Sequence, residues 1–308
     1  MSAVQSSGAR RVGPAAGASP IWWLVFKREL GELWLGGKAL YLMLVYTVLM
    51  GLYAWSLATN TELNLLPLKE MVFEMVKAAI AVSLFICLIV GAESVSGERE
   101  RLTLEGLLLT PASRGELLVG KFLAAASPWP VALAIAFPYW RAVSQGDAVF
   151  ERAALWGAVV GSILAPAFAG LGMLISVLCN TNKASMVASL AFYLVFLLPT
   201  TLAGPPKIQR SAALWLKQYL LEWVNPMASS NRFLQRVLID NWPAADVGIL
   251  LTMPVVFLCL TVVLLVQHGA PALRLEAGVA ERVRPYWAWV AGLWHSTAGF
   301  ASRSPSRG

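Results

Sequence analysis

The chain has 308 residues, 58% hydrophobic and 13% charged, with a mean hydropathy of +0.65 and 13 Trp. That is more apolar surface than a globular domain of this length buries, so the composition points to an all-α integral membrane protein. Six spans of about 20 residues use about 120 positions, which leaves no room within these residues for an ATP-hydrolysing domain. A net charge of +7 would suggest nucleic acid in a soluble protein. Here the basic residues sit in short segments between apolar runs, where membrane lipids are the nearer anions, and no nucleic-acid partner is expected.

Residues 1–19 are rich in Ser, Gly and Ala, with Arg10-Arg11 and no apolar stretch directly behind them. A disordered tail is expected there, rather than a cleaved or twin-arginine signal. From Ile21 to Leu35, IWWLVFKRELGELWL places Trp22, Phe26, Leu30 and Leu33 at helical spacing with Arg28 and Glu32 opposite, which predicts a helix lying in the membrane interface. The six-span domain is expected over 20–267, this helix included.

Six apolar runs follow, at about 39–57, 78–92, 122–140, 153–179, 184–204 and 247–267, and none holds an Asp, Glu, Lys, Arg or His. The second is short, so its helix is expected to extend past Lys77 and Glu74 with those charges at the interface. Six spans put both termini on one side. Placing them in the cytoplasm, in a cell inner membrane, gives the inner segments more of the basic residues, but those segments are also longer. Pro128, Pro130 and Pro138 interrupt span three, and Pro166, Pro199 and Pro254 fall in spans four, five and six, which predicts kinks. Gly157 and Gly161 form a GxxxG pair that predicts close helix contact. Cys87, Cys179 and Cys259 fall in separate runs without ligand spacing, so neither a disulfide framework nor a metal site is expected.

Between spans five and six, Leu214, Leu220, Leu221 and Trp223 form one amphipathic stretch, Asn225-Pro226 breaks it, and Phe233, Leu234, Val237 and Leu238 form another. Two short external helices on or dipping into the outer leaflet are expected. Residues 268–308 read as a cytoplasmic tail whose Trp287, Trp289 and Trp294 suit the membrane boundary.

The informative segment is 93–121, ESVSGERERLTLEGLLLTPASRGELLVGK. Glu98 to Leu109 can be helical: Glu98 and Arg101 lie at i,i+3, Arg101 and Glu105 at i,i+4, and Leu104, Leu107 and Leu108 share a face. Thr110-Pro111 ends it, and Ser113 with Glu116 forms a capping box that starts the helix of span three. Any charged loop carrying a helix has these features. Lys121 is expected as an interface anchor of span three. Gly115 to Phe122 reads G-x-x-x-x-G-K-F, one hydroxyl short of a phosphate loop, and no strand precedes it.

The run GERERLTLEGLLLTPASRGELLVGKFLA resembles the signature of ATP-binding-cassette (ABC) type 2 transporter permeases, E-R-E-x-G-T-L-E-x-L-L-x-x-P-x-S-R-x-E-x-x-x-G-K, between their second and third spans. Fourteen positions match, including Glu98, Arg99, Glu100, Glu105, Leu108, Pro111, Glu116, Gly120 and Lys121; Leu102 replaces the usual Gly. The resemblance implies a permease subunit, itself not an enzyme, that works as a dimer with a second copy or a homologue. It also implies two separate ABC ATPase subunits that carry ATP and Mg²⁺. The loop helix would be the coupling helix, with Glu98, Arg99, Glu100, Arg101 and Glu105 contacting the ATPase or orienting the helix, and Leu108 on its packing face.

Other classes fit less well. His268 and His295 are the only histidines, and no span offers a carboxylate dyad or a lysine suited to an embedded enzyme. Ion-driven carriers hold ionisable groups near the midplane, which these runs lack, although sites made of carbonyls and hydroxyls leave no such trace. A non-transporting scaffold that docks an ATPase would share every feature above.

Overall fold

The computed structural model describes residues 20–59, 67–100, 113–202 and 224–269. Among them the chain is helical, with no strand: α1 (Ile21–Leu35), α2 (Lys38–Thr59), α3 (Leu68–Glu93), α4 (Ser96–Glu100), α5 (Arg114–Ala126), α6 (Pro128–Val143), α7 (Val149–Leu178), α8 (Asn182–Leu202), α9 (Pro226–Leu238), α10 (Ala244–Val247) and α11 (Thr252–Leu264). Six helical stretches are long and apolar enough to cross a membrane: Lys38–Thr59, Leu68–Glu100, Arg114–Val143, Val149–Leu178, Asn182–Thr200 and Ala244–Gly269. They are the six runs read from the sequence, each beginning earlier, and the first, second, third and sixth also ending later. The chain is a multi-pass membrane protein.

Local chemistry accounts for the breaks. Pro128 has no N–H to continue the ladder, so span three is split at Ser127 into α5 and α6. The Ser113–Glu116 capping box forms as expected, the Glu116 N–H donating to Ser113 Oγ and the Ser113 N–H to Glu116 Oε2. Asn225 caps α9 by accepting from the Met227 and Ala228 N–H groups, with Pro226 in the first turn.

Spans two and four form the centre, with 61% of each apolar window buried, against 22%, 17% and 22% for spans one, five and six. At their crossing, a Cβ on Gly91 would lie 2.3 Å from the Ala169 carbonyl oxygen, and one on Gly172 2.1 Å from that of Leu88. The two backbones therefore touch. The expected GxxxG pair works differently: Gly157 and Gly161 form a notch that receives Trp140 and Trp129 of α6, and Trp129 Nε1 donates to Ser162 Oγ at 3.0 Å. Phe168, Phe196 and Phe257 join spans four, five and six with ring centroids 5.3 to 5.7 Å apart. The second expected external helix, α9, is sunk into the bundle with Phe233, Leu234, Val237 and Leu238 buried, and Trp156 meets Phe233 edge-on.

Gly172→Ala is expected to force the α3–α7 crossing apart and to cost about 1–3 kcal/mol, the range for overpacking a tight core. A lowered melting temperature in detergent would report it. Gly31→Ala, whose Cβ meets nothing within 4 Å, is the control.

Candidate coupling site

The segment that follows span two turns at Ser94 into the short helix α4. Its buried Ser96 sets the geometry. The Val95 and Ser96 N–H groups donate to Ser176 Oγ at 3.2 and 2.8 Å, and Ser96 Oγ lies 2.8 Å from the Ala92 carbonyl oxygen. The hydroxyls thus satisfy backbone groups left over where α3 gives way to α4.

From that base three charged side chains reach three directions. Glu98 turns inward to Lys121 of α5, at 2.8 Å. Lys121 also lies 2.9 Å from Glu29 of α1 and donates to the Ser94 carbonyl oxygen at 3.1 Å. Its side chain is 3% exposed and both carboxylates are 13% exposed. Arg99 donates to the carbonyl oxygen of Cys179, the residue that caps the C-terminus of α7. Glu100 accepts from the Asn182 N–H, the first of α8, at 2.8 Å. A cation at a helix C-terminus and an anion at a helix N-terminus complement both macrodipoles, so α4 caps span four and span five in trans.

Helix α1 joins the same cluster. A Cβ on Gly120 would lie 2.7 Å from Val25 Cγ1 and 3.0 Å from the Trp22 carbonyl oxygen, so glycine at 120 lets α1 seat directly on α5. Trp34 Nε1 donates to Ser127 Oγ at 3.2 Å at the other end of the contact. Lys38 pairs with Glu93 beside it. Glu29, Glu32 and Glu98 bring carboxylate oxygens within 4.8 Å of one another. The Lys121 ammonium supplies the positive charge that such a group needs.

Of the residues singled out in the sequence, Glu98, Arg99 and Glu100 come together here as ties within the chain. Arg101, Glu105 and Leu108 lie outside the described residues. Lys121, expected at the lipid boundary, is instead enclosed by protein carboxylates, because α1 covers that side of α5. Gly115 to Phe122 lies wholly within α5, and its lysine is engaged with two carboxylates. Glu29, Ser176 and Asn182 were not legible as partners. Only the helical spacing of α1 hinted at Glu29, and nothing marked the other two.

Comparison with known families places this geometry. The ABC-2 family transporter protein model matches residues 24–269, which takes in the described helices of the site apart from the first three residues of α1. The chain belongs to that family. It is an ABC transporter permease, a membrane subunit of a family whose members work with ATPase subunits. No curated protein matches the chain. The described ends of the permease motif, Glu98 to Glu100 and Ser113 to Lys121, lie at the junction of α1, α4, α5 and the turn between α7 and α8.

Proposed function

We propose that this permease is the membrane half of an exporter in the cell inner membrane, paired with a second copy or a homologue and driven by two ATPase subunits docked at the motif segment. The observation that carries the reading is the three-way tie of α4. A displacement imposed there reaches α1 and span three through Glu98, span four through Arg99, and span five through Glu100. Rigid-body shifts of packed helices are the means by which ATP binding and hydrolysis would open and close the pathway, with no chemistry in the membrane. Arg101, Glu105 and Leu108 are assigned to the ATPase side of the segment on the strength of the motif.

The second permease is assigned to faces other than the Gly157–Gly161 notch and α9. Gly157 and Gly161 are filled by tryptophans, and α9 is buried within its own chain. Large apolar side chains remain outward on α2, α8 and α11, with Tyr41, Trp55, Val187, Val195, Val256 and Val263 among them. Lipid and the second permease would share these faces. The interfacial position of α1, with Trp23, Leu24 and Leu35 exposed, fits the same inner boundary.

Both termini are assigned to the cytoplasm. Single cysteines at Ser113 and Ser304 on a cysteine-free background are expected to resist an impermeant thiol reagent added to intact cells, and labelling of either from outside would reverse the orientation. Copurification of an ABC ATPase with the permease, and ATP turnover that responds to substrate in reconstituted vesicles, test the function itself. Copurification without transport would favour the scaffold reading.

A further inference from the structure

The end of the bundle remote from α4 holds a cleft with a charged rim and apolar depth. Lys77 and Ser94 are 17 residues apart, about 26 Å along a helix, so Lys77 lies near the opposite boundary of a hydrocarbon core about 30 Å thick. A cavity of about 480 Å³ opens there between α3, α7, α8 and α9. A second, of about 400 Å³, shares Tyr53 and Glu74 with it and runs outward to Gln235 and Ile239.

The lining changes character with depth. At the rim Lys77 Nζ lies 2.6 Å from the Glu74 carboxylate and sits 5.5 Å from the centre of the Phe73 ring. The two side chains are 26% and 32% exposed, so the pair is reachable from outside the chain. Asn231 of α9 adds a carboxamide, which can both donate and accept. Two turns deeper, about 10 Å along α3, the walls are Leu84, Leu164 and other apolar side chains. Polar at the boundary and apolar below it is the profile of an amphiphile standing in a leaflet.

Charge balance narrows the head. In the deeper cavity Glu74 and Lys77 are the charged pair and neutralise each other, Glu70 lining only the outer one, and a singly charged ligand that takes one partner leaves the other, half-buried, without its counter-charge. A head carrying both signs can exchange with the pair: its ammonium goes to Glu74 and its anionic group to Lys77, and nothing is left uncompensated. We infer that this cleft binds a zwitterionic amphiphile, head on Glu74 and Lys77 and tail against Leu84 and Leu164.

The test uses the full-length permease purified in a nonionic detergent, without the ATPase, so its failure is separate from failure of the exporter reading. Three photoreactive probes share one diazirine-bearing alkyl tail and differ in the head: phosphocholine, sulfate or trimethylammonium. Labelling of peptides covering residues 70–84 and 226–239 is quantified by mass spectrometry. The phosphocholine probe is expected to exceed both charged probes by about tenfold, equivalent to about 1.4 kcal/mol. The preference should vanish in the E74Q/K77Q double variant. Because the readout is a ratio within one sample, a lower yield of folded variant does not imitate the loss. Competition in the parent protein by unlabelled dodecylphosphocholine, but not by dodecyl sulfate, serves if the variant does not fold. A preference below tenfold in the parent, one that persists in the double variant, or equal competition by both detergents overturns the site. Adding an ATPase partner and ATP separates a transported amphiphile, whose labelling falls, from a resident lipid, whose labelling stays.

Discussion

Lys121→Met is expected to be the most damaging single substitution at the site, at about 3–5 kcal/mol, the cost of removing one partner from a buried ion pair. The ammonium is 3% exposed and holds Glu29 and Glu98 within 2.9 Å, so its loss leaves two carboxylates facing each other with little water. Repulsion would push α1 away from α4, and the seat of α1 on Gly120 would open with it. The expected result is a clear fall in melting temperature in detergent, with retained membrane insertion, because Met in place of Lys121 only adds to the apolar length of span three. The triple variant Lys121→Met with Glu29→Gln and Glu98→Gln removes the stranded charges and should recover most of the loss. If the single variant melts like the parent, or the triple one melts no higher than the single, the cluster does not hold α1 in place.

The contrast between Lys121 and the spans shows which physical information a sequence carries locally. Runs free of charge are a property of contiguous residues, so six of them forecast six spans, and the bounds expected for α1, Ile21 to Leu35, are those observed. Capping depends on neighbours three residues apart, and the Ser113–Glu116 box was legible for that reason, while Asn225-Pro226, expected as a break, is also the capped start of α9. Lys121 pairs with Glu29, 92 residues away, across an interface that only the folded chain creates. Read locally, a lysine at the start of an apolar run is a headgroup anchor. The glycines of span four show the same limit. Their spacing announced close contact, but whether a backbone or a tryptophan fills the notch depends on α6, which the spacing does not encode. The motif fixed the place of the site, while Ser176, Cys179 and Asn182, the groups that α4 holds, carried no signal at all.

Those groups lead to the second large effect, which is on transport rather than stability. Arg99 and Glu100 cap the end of α7 and the start of α8 from outside either helix, and each cap is worth about 1 kcal/mol. Arg99→Ala with Glu100→Ala should therefore lower the melting temperature by only a few degrees, far less than Lys121→Met. The same change removes the charged ties between α4 and spans four and five and leaves the hydroxyl contacts of Ser96 with Ser176 and Asn182, while the Glu98–Lys121 pair still links α4 to span three. Motion delivered to the segment would then reach spans four and five only through the hydroxyl contacts of Ser96, without the charged ties. We expect the double variant to copurify with its ATPase and to support ATP hydrolysis, while transport in reconstituted vesicles falls about tenfold, as if about 1.4 kcal/mol of coupling were lost. Glu100→Gln, which keeps an acceptor for the Asn182 N–H, should retain most of the transport that Glu100→Ala loses. Glu151→Ala, at the start of α7 far from the segment, should change nothing. Loss of ATPase copurification in the double variant would instead assign Arg99 and Glu100 to the docking surface, and transport at the parent's rate would remove the turn between spans four and five from the coupling route.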